Sequence, residues 1–195
     1  MAPIILASAS PQRKSLLENI GLSFTVEPSR IQEEECPEHS PRKRAQLLAG
    51  LKAHDVAARN PGSWIIGCDT LVVAQDGTLL EKPHDARDAT QMLLKLSSAL
   101  CSVHSAVCLI SPTGDAFADI STSIVGFRAL STEDIDWWIA SGLWKDRSGS
   151  FQIDGPGQLF ISRIDGDWTG VVGLPLFLLS ELFKRAGQPM LNLLR

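Results

Sequence analysis

A mixed-sheet α/β fold follows from three features of this 195-residue sequence. Short apolar runs of strand length alternate with amphipathic stretches of helical length through most of the chain. Serine-proline pairs stand at two helix starts, Ser10-Pro11 and Ser40-Pro41. Turn signals at Asp76-Gly77 and from Pro112 to Gly114 join successive strands as hairpins, which a purely parallel sheet does not contain. The length fits one domain, taken as residues 1–195, or two lobes sharing a cleft, better than two independent units.

Ile4 to Ala7 is a continuous apolar run, the pattern of a strand covered on both faces. It leads into Ser8-Ala9-Ser10-Pro11, where Ser10 suits the N-cap and Pro11 the first helical position; Leu16, Leu17 and Ile20 make the apolar face before Gly21. Phe24 to Val26 reads as a strand, followed by an acidic loop through Glu33, Glu34 and Glu35. From Ser40-Pro41 a helix runs to about Asn60, with Ala45, Leu48, Ala49, Lys52, Ala53 and Val56 at helical spacing. Lys52 therefore sits beside an apolar face.

Trp64 to Cys68 and Leu71 to Val73 read as strand on either side of Asp69-Thr70, and Thr78 to Leu80 returns after the turn. Asp85 to Leu96 is a helix, Val103 to Ile110 and Phe117 to Phe127 an antiparallel pair. Ser131 and Asp134 open a helix to about Ala140, with Gly142 past its end. Gly149 to Gly157 is a glycine-rich loop, Gln158 to Ile164 a strand, Gly166 to Gly173 a second loop, and Leu174 to Ala186 an amphipathic helix. In the pair Trp137-Trp138, one indole packs inward and the other stays partly exposed, since neighbours on a helix face different ways.

With 44% hydrophobic and 21% charged residues the chain has a globular composition, and a net charge of -4 gives no general attraction to nucleic acid or anionic membrane. Cys36, Cys68, Cys101 and Cys108 form no Cys-x-x-Cys pair, so reduced, buried thiols are expected. No export signal follows Met1, and the apolar run from Leu174 to Leu179 is too short to span a bilayer, so a cytoplasmic location is expected.

Four places can carry chemistry. The Ser8-Ala9-Ser10-Pro11-Gln12-Arg13 turn presents free backbone N-H groups at a helix N-terminus, and Arg13 adds a fork of donors; a capped helix with a surface arginine is the plainer alternative. Lys52 and Lys82 are candidate phosphate ligands, although a solvated head group is the usual fate of a lysine. Asp69 lies within an apolar strand, where an unpaired carboxylate is expensive to bury; it needs a metal, a lysine or a catalytic task, unless it points to water from a strand edge. Glu33 is a second carboxylate for a hard cation such as magnesium, or one member of a solvated acidic run.

Taken together, Leu6-Ala7-Ser8-Ala9-Ser10-Pro11-Gln12-Arg13, Ile31-Gln32-Glu33, Leu48-Ala49-Gly50-Leu51-Lys52-Ala53, Ile66-Gly67-Cys68-Asp69-Thr70, Leu80-Glu81-Lys82-Pro83 and Val171-Val172-Gly173-Leu174-Pro175-Leu176 occur in an order that resembles the Maf-like family of nucleotide pyrophosphatases, the septum-formation proteins. The resemblance implies a two-lobed α/β protein with a mixed sheet, flanking helices and a central cleft, similar to the inosine triphosphate pyrophosphatase fold. It implies hydrolysis of a nucleoside triphosphate to the monophosphate and pyrophosphate. By position, the resemblance implies Asp69 as the proton acceptor and Glu33, Lys52 and Lys82 as the other catalytic residues, the lysines as phosphate ligands and Glu33 as a metal or water ligand; Glu33 and Asp69 hold a divalent metal, magnesium by default. Ser8, Ser10, Gln12, Arg13, Thr70 and Asp154 bind substrate.

The residues that set base preference in the resemblance are mixed here. Thr70 matches members acting on dTTP and UTP, which carry a second arginine at the place of Gln12 and a glutamine at that of Asp154; acidic Asp154 leans toward members acting on 7-methyl-GTP. Partners implied are a nucleoside triphosphate and a second copy in a homodimer, with no nucleic acid and no membrane. The alternative reading is a nucleotide-binding regulator of cell division with little turnover.

Overall fold

The computed structural model describes residues 2–194; residues 1 and 195, the ends of the expected domain span, lie outside it. Seven strands form one mixed sheet: β1 (Ile4–Leu6), β2 (Thr25–Val26), β3 (Trp64–Ala74), β4 (Leu79–Leu80), β5 (Leu100–Ile110), β6 (Ala116–Phe127) and β7 (Ile161–Asp165). Their order is β2-β1-β3-β5-β6-β7, with β4 added on β3. The helices are α1 (Pro11–Asn19), α2 (Pro41–Ala57), α3 (Ala86–Leu96), α4 (Thr132–Ser141), α5 (Trp168–Val172) and α6 (Leu176–Arg185).

Three long antiparallel strands, β3, β5 and β6, run through both halves of the molecule, and the short strands are added at their ends. β1 lies parallel to the start of β3, from Ile4 opposite Trp64 to Leu6 opposite Ile66. β4 lies antiparallel to its far end, with Val72 opposite Leu80 and Val73 opposite Leu79. Between Ile66 and Val72 that edge of β3 has no strand partner among the described residues. The gap holds Asp69 and Thr70.

Alternation along β3 sends its side chains to two different cores. Ile65 and Leu71 pack with Ala45, Ala49, Ala53 and Val56 of α2, whereas Ile66 and Cys68 pack with Leu16, Leu17, Leu182 and Phe183 of α1 and α6. A third cluster fills the other half, around Leu93 of α3 and Trp138 of α4. Gly67 shares the α2 face with Ile65 and Leu71. A methyl group there would stand 2.4 Å from the Ala49 carbonyl oxygen and 2.7 Å from Ala53 Cβ, so α2 lies directly on the strand. Gly67→Ala is accordingly expected to force the helix outward and to destabilise the protein by about 1–3 kcal/mol, the usual range for overpacking. Thermal denaturation reads this as a lowered midpoint.

The backbone follows the local signals closely. Ser10 takes the extended cap conformation with Pro11 behind it, and its hydroxyl accepts from the Arg13 N-H at 3.5 Å. Ser131 and Asp134 form the reciprocal capping box, and Gly142 ends α4 in the left-handed conformation at φ 70°. Trp138 is fully buried and Trp137 is 53% exposed, as the helix geometry requires. The four cysteines are free and buried; burial pushes the Cys68 and Cys108 thiols up to about 11 and the Cys101 thiol up to about 12, which disfavours the reactive thiolate at these three.

Two expectations need correction. Gly166 to Gly173 is not a plain loop, because it contains α5, whose first N-H groups at Thr169 and Gly170 are capped by the Asp167 carboxylate. Five residues are too few for helical periodicity to show in sequence. The strand expected from Gln158 begins only at Ile161, since Pro156–Phe160 winds into a 3-10 turn.

Candidate active site

Asp69 and Lys52 meet in the core of the molecule. Asp69 is 3% exposed and Lys52 6%, and the lysine Nζ donates to Asp69 Oδ1 at 2.6 Å. Lys52 is thus not the solvated lysine of the simpler reading. Gly67 lets α2 lie directly on β3, and Lys52, on the buried stripe of α2, reaches the neighbouring position on the same strand face, Asp69. Glu33 opens a 3-10 turn (Glu33–Glu35) and is part-exposed; its Oε1 lies 2.9 Å from the same Nζ. Asp69 Oδ2 is buried with no hydrogen-bond partner. One ammonium therefore joins two carboxylates, and one carboxylate oxygen is left for another ligand.

The electrostatics divide these carboxylates. Burial raises the Asp69 pKa above its ordinary value, against the attraction of Lys52 and Arg13, and the neighbouring Glu33 charge adds to the rise. For Glu33, burial pushes upward but is outweighed by Lys52, then by Lys82 and Arg13, so that its pKa is lowered. The two are thus pushed in opposite directions, Asp69 upward and Glu33 downward. Lys82, exposed at the end of β4, is close enough for its field to act on Glu33.

The serine-proline turn lies on the other side of the gap. Ser8 is buried, and its hydroxyl accepts from Arg13 Nη1 at 3.0 Å and from the Ser10 N-H at 3.2 Å. Arg13 Nη2 donates to Thr70 Oγ1 at 3.2 Å, and Arg13 Nε to the Gly173 carbonyl at 2.8 Å. With five N-H groups on a guanidinium, two of those on Arg13 remain for a ligand. The Ser10 hydroxyl donates to Gln12 Oε1 at 3.3 Å.

Sequence reasoning missed the partners that hold Thr70. Ser105, opposite it on β5, lies 3.1 Å from its hydroxyl and donates to the Gly170 carbonyl of α5 at 2.5 Å. The available signal was the Asp167 cap that starts α5. Asp154 is exposed on the loop before Pro156, and no described contact joins it to this cluster. The structure therefore brings together Ser8, Ser10, Gln12, Arg13 and Thr70 in one network and Glu33, Lys52 and Asp69, with Lys82 nearby, in another.

Glu33 and Asp69 are the residues that could hold a divalent cation. Among the described residues no group of three or more His, Cys, Asp or Glu side chains is arranged as a metal cage. Two carboxylates, one with an unpartnered buried oxygen, fit an oxygen-seeking ion such as magnesium, which commonly takes one or two carboxylates and fills its remaining positions with water and substrate phosphate.

The Maf-like protein family matches residues 3–186. The chain is 44% identical over 187 residues to a dTTP/UTP pyrophosphatase of Syntrophotalea carbinolica, covering 94% of this chain and 84% of the relative. It is 39% identical over 184 residues to the dTTP/UTP pyrophosphatase of Deinococcus radiodurans, covering 94% and 93%. Among solved structures, the Staphylococcus aureus Ham1 protein superimposes with a TM-score of 0.46 at 12% identity, covering 64% of this chain and 71% of that one. The family match and these relatives extend over nearly the entire sequence, and on that basis the chain belongs to the Maf-like protein family.

Proposed function

We propose that this protein hydrolyses a nucleoside triphosphate of the dTTP and UTP class to the monophosphate and pyrophosphate, with Asp69 as the base. The observation that carries the reading is the buried Asp69 carboxylate, fixed through Oδ1 by Lys52 and left with an unpartnered Oδ2 in the gap of β3. The dTTP/UTP pyrophosphatase names of the relatives support the substrate class, and Thr70 is the residue that agrees with it.

In this mechanism Asp69 Oδ2 accepts a proton from the water that attacks the α-phosphorus, while Lys52 fixes the carboxylate through Oδ1. Arg13 and Lys82 neutralise charge on the departing pyrophosphate, and the N-H groups at the start of α1 add donors with a favourable dipole. Ser8 and Thr70 hold the Arg13 fork in its plane. Glu33 and Asp69 would hold a divalent cation, magnesium by preference, which when bound supplies further charge neutralisation at the phosphoryl oxygens. Gln12, Thr70 and Asp154 are proposed to face the nucleoside end of the substrate, with Ser10 keeping Gln12 in place.

No helix among the described residues is long and apolar enough to cross a membrane. The proposed place of action, on free nucleotides in the cytoplasm, is a separate part of this reading. The test is a panel of dTTP, UTP, CTP, GTP and base-modified triphosphates incubated with magnesium and the purified protein, scored for the phosphate species released. Pyrophosphate from dTTP or UTP is the expected result. Release of orthophosphate alone, or tight nucleotide binding without any product, would overturn the assignment, the latter in favour of a nucleotide-binding regulator.

A further inference from the structure

Arg44, in the first turns of α2, has no place in the chemistry described so far. Its side chain is nevertheless only 14% exposed, in a stretch where Arg42 and Lys43 are exposed. Arg44 Nη2 donates to the Glu33 carbonyl at 3.0 Å and Nη1 to the Cys36 carbonyl at 3.3 Å, so the guanidinium closes across the 3-10 turn from both ends. Nη2 also lies 3.5 Å from Glu81 Oε1, on the residue that precedes Lys82. Its Nε is buried without a partner. Leaving a charged group's N-H unpaired is costly, so the side chain is kept there by its other bonds and not by its own solvation.

The turn that Arg44 grips has little else to hold it. Glu33–Glu35 has no buried residue and no side-chain cap, and its own backbone bonds, Glu35 N-H to the Gln32 carbonyl and Cys36 N-H to the Glu33 carbonyl, are long at 3.3 and 3.2 Å. Three adjacent carboxylates add mutual repulsion. Two points on α2 fasten the turn: Lys52 takes the Glu33 side chain, and Arg44, eight residues earlier and about 12 Å along the helix axis, takes its main chain. A main-chain grip fixes where the Glu33 side chain starts, which the single bond to Lys52 does not.

We infer that Arg44 is a positioning residue for Glu33, clamping the Glu33–Cys36 turn to the helix that carries Lys52 and, through Glu81, tying in the segment that carries Lys82. The inference rests on the proposed role of Glu33 in turnover. It is tested by a double-mutant cycle on the full chain, using Glu33→Gln, Arg44→Ala and the two combined, with kcat and KM for the triphosphate that the panel identifies.

Misplacing a reacting group by an ångström lowers rates by up to about 100-fold, so Arg44→Ala should reduce kcat by about 10- to 100-fold with KM changed far less. In the Glu33→Gln background the same substitution should have almost no further effect, and Arg44→Lys, which keeps donors but not the fork, should fall between wild type and Arg44→Ala. The Cys36 amide should exchange with solvent faster in Arg44→Ala, while the global thermal transition moves little. If the alanine variant does not fold, Arg44→Gln, which keeps most of the stem, takes its place in the cycle. Unchanged kcat in the Arg44 variant beside an impaired Glu33→Gln, or two losses that multiply, would overturn the clamp. Full activity in Glu33→Gln would overturn the role of Glu33 beneath it.

Discussion

Asp69→Asn is expected to lower kcat by about 100- to 10,000-fold, the range for removing a positioned general base, while substrate KM changes little. The substitution preserves shape, and the amide oxygen can still accept from Lys52 at the place of Oδ1, so the protein should remain folded with a near-native thermal transition. What disappears is the basicity of the second oxygen, the one with no partner of its own. Steady-state kinetics with circular dichroism on the same preparation checks both halves. Full turnover in a folded Asp69→Asn protein would remove Asp69 from its role.

The second large effect is expected at Lys52. Lys52→Met keeps the length of the aliphatic stem and deletes the ammonium that holds both carboxylates, and kcat should fall by about 100- to 1,000-fold, as when one preorganised electrostatic donor is lost. The pH dependence should shift as well. Burial already raises the Asp69 pKa, with Lys52 the strongest force opposing it. Removing that opposition raises the pKa further, so the base is protonated at a higher pH and the acid limb of kcat/KM moves upward. Truncating one partner of a buried pair typically costs about 3–5 kcal/mol, and proton uptake by Asp69 should keep the loss below that range. An acid limb that stays in place or moves to lower pH would contradict the pairing.

Much of this arrangement is legible in the amino-acid sequence, because local chemistry specifies local geometry. Ser10-Pro11 and the Ser131 to Asp134 box mark helix starts through the backbone groups they satisfy, and both helices begin at those residues. Asp69 is conspicuous because an acid within an apolar strand needs a partner. The partner is harder to read: Lys52 lies 17 residues away in sequence, and its burial depends on how close a helix comes to a strand. Gly67 is the available clue, since a glycine inside a strand often marks the close approach of another backbone.

Other parts of the site depend on contacts that sequence patterns do not carry. α5 is five residues long, too short for periodicity, yet its Gly170 carbonyl accepts from Ser105, and the Gly173 carbonyl just beyond it engages Arg13 and Thr70. Arg44 reads as one cation in a basic run, and only the folded turn at Glu33 distinguishes it from Arg42 and Lys43. Asp154 illustrates the opposite situation. Its place in the motif suggests a role in base recognition, but it stands exposed, with no described contact that would fix its orientation before a nucleotide arrives.

The most direct measurement of the mechanism is the fate of the attacking oxygen. Hydrolysis of the preferred triphosphate in water enriched in oxygen-18, followed by mass spectrometry of both products, should place the label in the nucleoside monophosphate and leave pyrophosphate unlabelled, because Asp69 is argued to direct water at the α-phosphorus while the cations hold the departing pyrophosphate. Label in the pyrophosphate would show attack at the β-phosphorus and contradict the role given to Asp69.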